Sequence, residues 1–276
     1  MDLQKHKKPL PLVTNDPVAQ QKVLTKLRVS LSTERLGRYL GATKGDLKAA
    51  VELYELNLRL SQTLFGVLHG YEVALRNAMH DQLTHHFGQT NWYDKAPLNA
   101  WHRKQIDEAE EKCKPKVSYP STLTSGARTT PLPMAPVTPG QIIAAVSLAF
   151  WTGLTAPRYE QDLWTPCLRK AFPNIKANRV STHRNLQDLQ DLRNRIAHHE
   201  RVLGSKGQLY IGVRHIISQD QSGTHHTRQD RFIRPELVLT VVDAICKDTA
   251  TWLRTAAEFE RCLEILRSEP ARTLHI

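Results

Sequence analysis

A proline-free segment at residues 46–87 places the strongest constraint on how this chain folds. Its apolar residues recur at spacings of three and four, the period of one face of an α-helix. They are Leu47, Ala50, Val51, Tyr54, Leu58, Phe65, Leu68 and Leu75. The segment is longer than an ordinary globular helix, so we predict a kink or break between Gly66 and Gly70.

The rest of the chain also has helical periodicity, with two exceptions. Further helices are predicted at 32–40, 99–114, 141–154, 159–171, 181–202, 236–246 and 248–267. Six prolines between Pro115 and Pro139 remove amide donors and forbid regular helix, which indicates a proline-rich loop insertion at 115–140. The glycine- and serine-punctuated stretch at 204–230 is predicted to hold one short hairpin at most. We therefore predict an all-α bundle, organised as a single domain at 30–270 behind an N-terminal extension at 1–29.

Charge and composition indicate which partners the protein binds and in which cellular compartment it lies. A formal net charge of +11 and a pI near 9.6 favour binding to a polyanion, and nucleic acid ranks first. The four cysteines lie far apart without a C-x-x-C pair, which argues against a cysteine-built zinc site and against a disulfide framework. The longest apolar stretch, 142–154, is too short to cross a bilayer, and the amino terminus lacks the pattern of an export signal. We expect a cytoplasmic protein with no membrane partner.

The sequence DLRNRIAHHERV at 191–202 concentrates cationic and titratable groups on a predicted helix. Asn194, His198 and Arg201 are spaced so that they share one helical face. Arg193 and His198 are separated by about 140° on an ideal helix, so they converge only if the arginine sweeps round or a second subunit supplies one of them. A twofold axis would bring the same strip from each subunit to one cleft, and we therefore expect a homodimer.

Such a cleft carries the groups that RNA cleavage without a metal requires. A base takes the proton from the ribose 2′-hydroxyl, an acid protonates the leaving 5′-oxygen, and cations hold the charge that develops on phosphorus. Histidine transfers protons in either direction near neutral pH, and arginine offers a planar donor fork to phosphate oxygens. No carboxylate cluster of the kind that holds magnesium accompanies the motif, so we expect no metal and no cofactor.

The motif also resembles a known family. Arg193-Asn194-x-x-x-His198 is similar to the R-x4-6-H signature of the HEPN superfamily of helical ribonucleases. Four further segments, in the same order, resemble the abortive-infection (Abi-like) branch of bacterial phage-defence and toxin-type proteins. They are ERLGRYL at 34–40, YEVALRNAMHDQL at 71–83, FGQTNWYD at 87–94 and LAFWTGL at 148–154. The similarity spans residues 30–265 and implies a HEPN-like helical bundle.

The resemblance implies a metal-independent endoribonuclease that acts as a dimer in a phage-defence or toxin–antitoxin system. Arg193 would neutralise the scissile phosphate and His198 would serve as acid or base, while Asn194 would orient its neighbours. His199 would either assist or bond a backbone carbonyl, and Arg201 belongs to the same cationic strip. RNA is the implied substrate and a neutralising antitoxin, protein or RNA, an implied partner. The alternative is a non-catalytic RNA- or nucleotide-binding HEPN module.

A second polar strip lies on the long predicted helix, where His69, Glu72, Arg76 and His80 stand at i, +3, +7 and +11. Glu72 and Arg76 either form an ion pair that fixes helix packing or face the cleft. The family pattern also has a glutamate and an arginine here. The resemblance therefore implies that Glu72 orients Arg193.

Overall fold

The computed structural model describes residues 16–114, 136–174, 178–204, 206–220, 223–256 and 259–268. Most of the proline-rich loop predicted at 115–140, and the first half of the extension predicted at 1–29, lie outside these residues. The described helices are α1 (Pro17–Leu31), α2 (Thr33–Ala42), α3 (Leu47–Phe87), α4 (Ala100–Cys113), α5 (Pro139–Ala145), α6 (Leu148–Gly153), α7 (Arg179–Ala197), α8 (Leu237–Ile245), α9 (Lys247–Ala256) and α10 (Phe259–Arg267). The described strands, β1 (Leu209–Asp220) and β2 (Gly223–Ile233), form one hairpin. The predicted helical class is confirmed.

The described residues divide into two compact units. The first contains those within 1–66, 191–235 and 255–276, and the second those within 67–190 and 236–254. Helix α1 in the first unit was not predicted; Asp16 caps it and Pro17 occupies its first turn. None of the helices that the structure describes is both long and apolar enough to cross a bilayer.

Helix α3 runs without interruption from Leu47 to Phe87, so of the two alternatives predicted between Gly66 and Gly70 the break is wrong, and the kink stays a prediction. Instead, Gly70 allows the Leu253 side chain of α9 to pack closely against α3. A Cβ atom built on Gly70 would lie 2.2 Å from Cδ2 of the buried Leu253 on α9. A glycine in a helical pattern indicates either a break or a close approach, and the sequence does not distinguish them because the neighbour is distant along the chain.

We expect Gly70→Ala to lower the free energy of unfolding by about 1–3 kcal/mol, because the added methyl group overpacks a filled interior. Chemical denaturation measures the change. Gly140→Ala on α5 is the matched control in the same unit, since its Cβ meets nothing within 4 Å and alanine favours helix. The contradicting result is an equal effect of the two substitutions, or a Gly70→Ala cost that persists in full when Leu253 is also changed to alanine.

Other helix boundaries also differ from prediction. The predicted helix at 141–154 is two helices, α5 and α6, and the Ser147 side chain caps α6 by accepting a hydrogen bond from the Phe150 amide. The predicted helix at 248–267 is likewise α9 and α10. Residues 157–171 contain short 3₁₀ and π turns where one helix was predicted at 159–171.

A buried histidine lies in the aromatic core of the second unit. The His102 ring packs edge-on against the rings of Phe150 and Tyr159, with centroids 5.1 and 5.2 Å away. Its Nε2 atom lies 3.3 Å from the Phe150 carbonyl oxygen, and its Nδ1 atom lies 3.0 Å from the Tyr159 hydroxyl. Burial lowers the pKa of His102 to about 4, and the charge of Arg158 acts in the same direction. The histidine is therefore neutral in the folded protein at neutral pH.

Stability is expected to fall as pH drops from about 6.5 to about 4. In that window the unfolded chain binds a proton that the folded His102 excludes, so protonation favours unfolding by up to ~1.4 kcal/mol per pH unit. Denaturation midpoints measured across the window test this. His102→Gln is expected to reduce the slope of stability against pH by the contribution of one proton. Part of the slope should remain, because burial also lowers the pKa of His80 and of His183. An unchanged slope in His102→Gln contradicts the assignment.

The hairpin of the first unit is longer than the short hairpin predicted within 204–230, so its predicted length is wrong. Its strands have 12 and 11 residues, paired from Leu209 opposite Ile233 to Asp220 opposite Gly223. Residues 227–230 of β2 are all exposed, so this part of the strand lacks the apolar alternation by which strands are detected. Near the hairpin base a bulge separates Tyr210 from Gly212, and Tyr210 is buried. The hairpin thus places an aromatic ring against the end of α7.

Candidate functional site

The catalytic motif predicted from the sequence lies at the carboxyl end of α7. The helix ends at Ala197, where the amide of His199 donates to the Ile196 carbonyl and the amide of Glu200 donates to the Arg195 carbonyl. This pair of bonds is a Schellman motif, whose left-handed position usually holds glycine. His199 occupies it, with φ of 56°. Histidine is one of the few side chains enriched in this conformation.

This helix end corrects the predicted geometry of Arg201. The sequence pattern extended the helix to 202 and placed Arg201 on one face with Asn194 and His198. That placement is wrong for Arg201, because α7 ends at Ala197 and the left-handed conformation of His199 stops the helical repeat before Arg201. Arg201 is buried, with 6% of its surface exposed, so it is not part of a solvated cationic strip.

A buried asparagine fixes the chain after the turn. The Asn57 side chain on α3 accepts hydrogen bonds at Oδ1 from the amides of Val202, at 2.8 Å, and Leu203, at 3.0 Å. The Tyr210 amide donates to the Val202 carbonyl at 2.9 Å. One side chain and one strand therefore hold residues 202 and 203, and with them the preceding arginine.

The Arg201 guanidinium lies over the ring of Tyr210, with 4.1 Å from Cζ to the ring centroid. Its Nη1 atom donates to the Leu203 carbonyl at 3.3 Å, and its buried Nε atom has no hydrogen-bond partner. Arg195 also lies over the Tyr210 ring, at 4.6 Å, and forms an ion pair with Glu200 at 2.8 Å. Two guanidinium groups thus share one aromatic ring, an arrangement stabilised by cation–π attraction.

These groups line an open pocket of about 510 Å³ in the first unit. We name it the arginine pocket after Arg35, Arg38, Arg195 and Arg201, which line it together with Tyr39, Tyr54 and Tyr210. Arg35, Arg38 and Tyr39 stand at i, i+3 and i+4 on α2 and so share one helical face. Arg35 donates to the carbonyl of His199, which joins α2 to the turn after α7.

Burial and charge shift the pKa values of two pocket groups. Burial raises the pKa of Tyr39, and the charges of Arg201, Arg35 and Arg195 oppose that rise. Burial also lowers the pKa of Arg201, and the charge of Arg38 adds to this effect. The pocket therefore combines a protonated phenol with closely spaced positive charges.

The predicted site residues divide between the motif and the pocket. His199 and Arg201 line the arginine pocket, whereas Arg193, Asn194 and His198 are not among its lining residues. Arg193 and Asn194 are half-buried on α7, and His198 is exposed, with its amide donating to the Asn194 carbonyl at 2.9 Å. Their catalytic roles stay predictions.

Glu72 and Arg76 lie on α3 in the second unit, and both are half-buried. Arg76 Nε donates to the adjacent Asn77 Oδ1 at 3.4 Å. Their proposed support of the cleft also stays a prediction. In the part of the chain that the structure describes, no group of three or more histidine, cysteine, aspartate and glutamate side chains is arranged to hold a metal ion.

The sequence reasoning missed six groups of the pocket wall that have clear chemical character: Arg35, Arg38, Tyr39, Tyr54, Arg195 and Tyr210. A signal existed for the α2 residues, since ERLGRYL places two arginines and a tyrosine on one face. Tyr210 had no such signal, because its position depends on a hairpin that packs beside the end of α7.

Comparison of the chain with protein-family models, with curated proteins and with solved structures found no match. The HEPN-type interpretation therefore depends on the sequence motifs and on the chemistry of the residues at the end of α7.

Proposed function

We propose that this protein is a metal-independent endoribonuclease of the HEPN type. The observation that carries the proposal is the Arg193-Asn194-x-x-x-His198 motif at the carboxyl end of α7, where His198 is exposed. The net charge of +11 supports a polyanionic substrate. The Abi-like segments support a role in bacterial phage defence, either abortive infection or a toxin–antitoxin system, in the cytoplasm.

The proposed chemistry uses histidine and arginine alone. An imidazole of His198 removes the proton from a 2′-hydroxyl, and the resulting oxygen attacks the adjacent phosphorus. Arg193 donates hydrogen bonds to the phosphate oxygens and offsets the negative charge that builds there. A protonated imidazole then gives its proton to the leaving 5′-oxygen. The products carry a 2′,3′-cyclic phosphate and a 5′-hydroxyl.

A homodimer completes the proposed cleft. Arg193 and His198 point about 140° apart on an ideal helix, so one subunit alone aligns them poorly. A twofold axis near the end of α7 brings an arginine from one subunit towards a histidine from the other. The exposure of His198 supports this arrangement, because the imidazole is open to a second subunit. An antitoxin, protein or RNA, would neutralise the enzyme by covering the same cleft.

A non-catalytic nucleotide-binding module is the second candidate function. The arginine pocket favours it, because four arginines and three tyrosines there suit phosphate and base recognition without any cleavage step. In this alternative the protein binds RNA or a nucleotide and leaves it intact.

Incubation of the purified protein with RNA in EDTA tests the proposal. We expect cleavage of RNA, with 2′,3′-cyclic phosphate ends, and no cleavage of DNA of the same sequence, since DNA lacks the attacking 2′-hydroxyl. RNA that is bound but remains intact favours the second candidate. Cleavage of both polymers, or cleavage of RNA that EDTA abolishes, contradicts the proposed mechanism.

A further inference from the structure

We propose that the arginine pocket is a receptor for a nucleoside phosphate monoester, with the phosphate bound at Arg201. The inference goes beyond the proposed cleavage step, because neither Arg193 nor His198 lines the pocket. Binding here would occur whether or not the protein cuts RNA.

Arg201 carries the first step of the argument. A buried charge is costly unless it is paired, and Arg201 has only 6% of its surface exposed. Its described hydrogen bonds include one to the neutral carbonyl of Leu203, and its Nε–H has no acceptor. Among the described residues no carboxylate forms an ion pair with it. A bound anion supplies the missing counter-charge.

The charges around Arg201 indicate the charge of the ligand. The pocket is lined by four arginines and by two glutamates, Glu34 and Glu200, so these six side chains carry two net positive charges. A phosphate monoester carries between about −1.5 and −2 at neutral pH, whereas a phosphodiester carries about −1. The pocket therefore matches a terminal phosphate better than an internal backbone phosphate.

The remaining wall indicates what is attached to the phosphate. The volume of about 510 Å³ falls within the range of small-molecule sites and exceeds what a phosphate alone fills. The half-buried Tyr54 ring packs edge-on against the buried Tyr39 ring, with centroids 5.6 Å apart. An aromatic side chain held in this way stacks well with a nucleobase. A nucleoside thus fits beside the phosphate.

Isothermal titration with adenosine 5′-monophosphate tests the proposal, with adenosine as the matched ligand that lacks phosphate. The His198→Ala protein serves as the receptor throughout, so that the oligouridine strands compared below are also bound without cleavage. We expect the monophosphate to bind with an affinity that falls as salt rises, inorganic phosphate to bind more weakly, and adenosine not to bind measurably. Equal binding of adenosine and its monophosphate, or no binding of either, overturns the proposal.

Two substitutions locate the site. Arg201→Met keeps packing against Tyr210 but removes the charge, and we expect it to weaken monophosphate binding by about 10- to 100-fold. Arg38→Gln removes an exposed arginine from the pocket wall, so it tests the site without disturbing the interior. Arg28→Gln, an exposed arginine on α1 that does not line the pocket, is the matched control and should bind like the parent.

The melting temperature separates a ligand-binding role for Arg201 from a structural one. Arg201→Met removes a costly buried charge and also its cation–π contact with Tyr210, and the two effects offset each other, so the melting temperature of the unliganded protein should change little. The stabilisation that adenosine 5′-monophosphate gives the parent should disappear in this variant. A large loss of stability without ligand, together with unchanged monophosphate binding in Arg38→Gln, overturns the proposal.

A short oligouridine with or without a 5′-phosphate distinguishes two ligands that both present a phosphate monoester, the end of an RNA chain and a free nucleotide. Tighter binding of the phosphorylated strand, reduced by Arg38→Gln, assigns the pocket to the end of an RNA chain. Binding of the free monophosphate with no preference between the strands assigns it to a free nucleotide. These outcomes do not depend on cleavage, so they remain informative if the proposed nuclease activity fails its own test.

Discussion

Replacing His198 with alanine is expected to lower the rate of RNA cleavage by about 10²–10⁴-fold, the usual contribution of a positioned acid or base. Arg193→Ala is expected to lower it by about 10²–10³-fold, because a charge-stabilising donor to the phosphate is lost. Single-turnover cleavage of a labelled RNA in EDTA measures both effects. Retained helical circular dichroism would show that each variant still folds.

His199→Gly is the matched control for the neighbouring imidazole. Glycine adopts the left-handed conformation of His199 without strain, so the substitution removes the ring and preserves the Schellman turn. Cleavage within a few-fold of the parent would assign the acid–base chemistry to His198. Wild-type activity in His198→Ala, combined with loss of activity in His199→Gly, contradicts the assignment of His198.

Asn57→Ala is expected to lower the free energy of unfolding by about 2–4 kcal/mol. The substitution leaves the buried amides of Val202 and Leu203 without an acceptor, and each unsatisfied buried donor costs about 1–3 kcal/mol. Chemical denaturation, followed by circular dichroism, measures the loss. The same substitution should weaken monophosphate binding, because residues 202 and 203 hold Arg201 in place.

Gln62→Ala on α3 controls for this prediction, since Gln62 is exposed on the same helix and belongs to the same unit. We expect its effect on unfolding to stay within about 0.5 kcal/mol. An effect of Asn57→Ala as small as that of Gln62→Ala would show that the two amides do not depend on the Asn57 side chain, which contradicts its proposed role as their acceptor.

The helices could be predicted where local periodicity and capping determine them. The prediction of a helix at 99–114 matches α4 (Ala100–Cys113), and that at 236–246 matches α8 (Leu237–Ile245). The predictions failed where contacts between residues far apart in the sequence determine the structure. Gly70 indicated a break from sequence alone, but in the fold it lies against Leu253, far along the chain. The hairpin was predicted too short because backbone pairing sustains strands whose exposed residues do not alternate in polarity.

The candidate site shows the same division. Arg193 and His198 could be proposed from the sequence because their spacing within one segment is itself the signal. The arginine pocket could not, because α2, the end of α7 and β1 contribute to it from separate parts of the sequence. Asn57 and Val202 are 145 residues apart, and no local pattern joins them. The left-handed turn at His199 was also missed, since a histidine there carries no signal of the kind that glycine gives.

Cleavage by a mixed dimer tests most directly the claim that Arg193 and His198 meet around one phosphodiester across a twofold axis. Differently tagged Arg193→Ala and His198→Ala subunits are co-expressed, and the dimer that carries both tags is purified. We predict that it cleaves RNA in EDTA faster than either parent homodimer, because one arginine and one histidine remain in the shared cleft. A mixed dimer as inactive as its parents, beside an active wild-type protein, would contradict the claim.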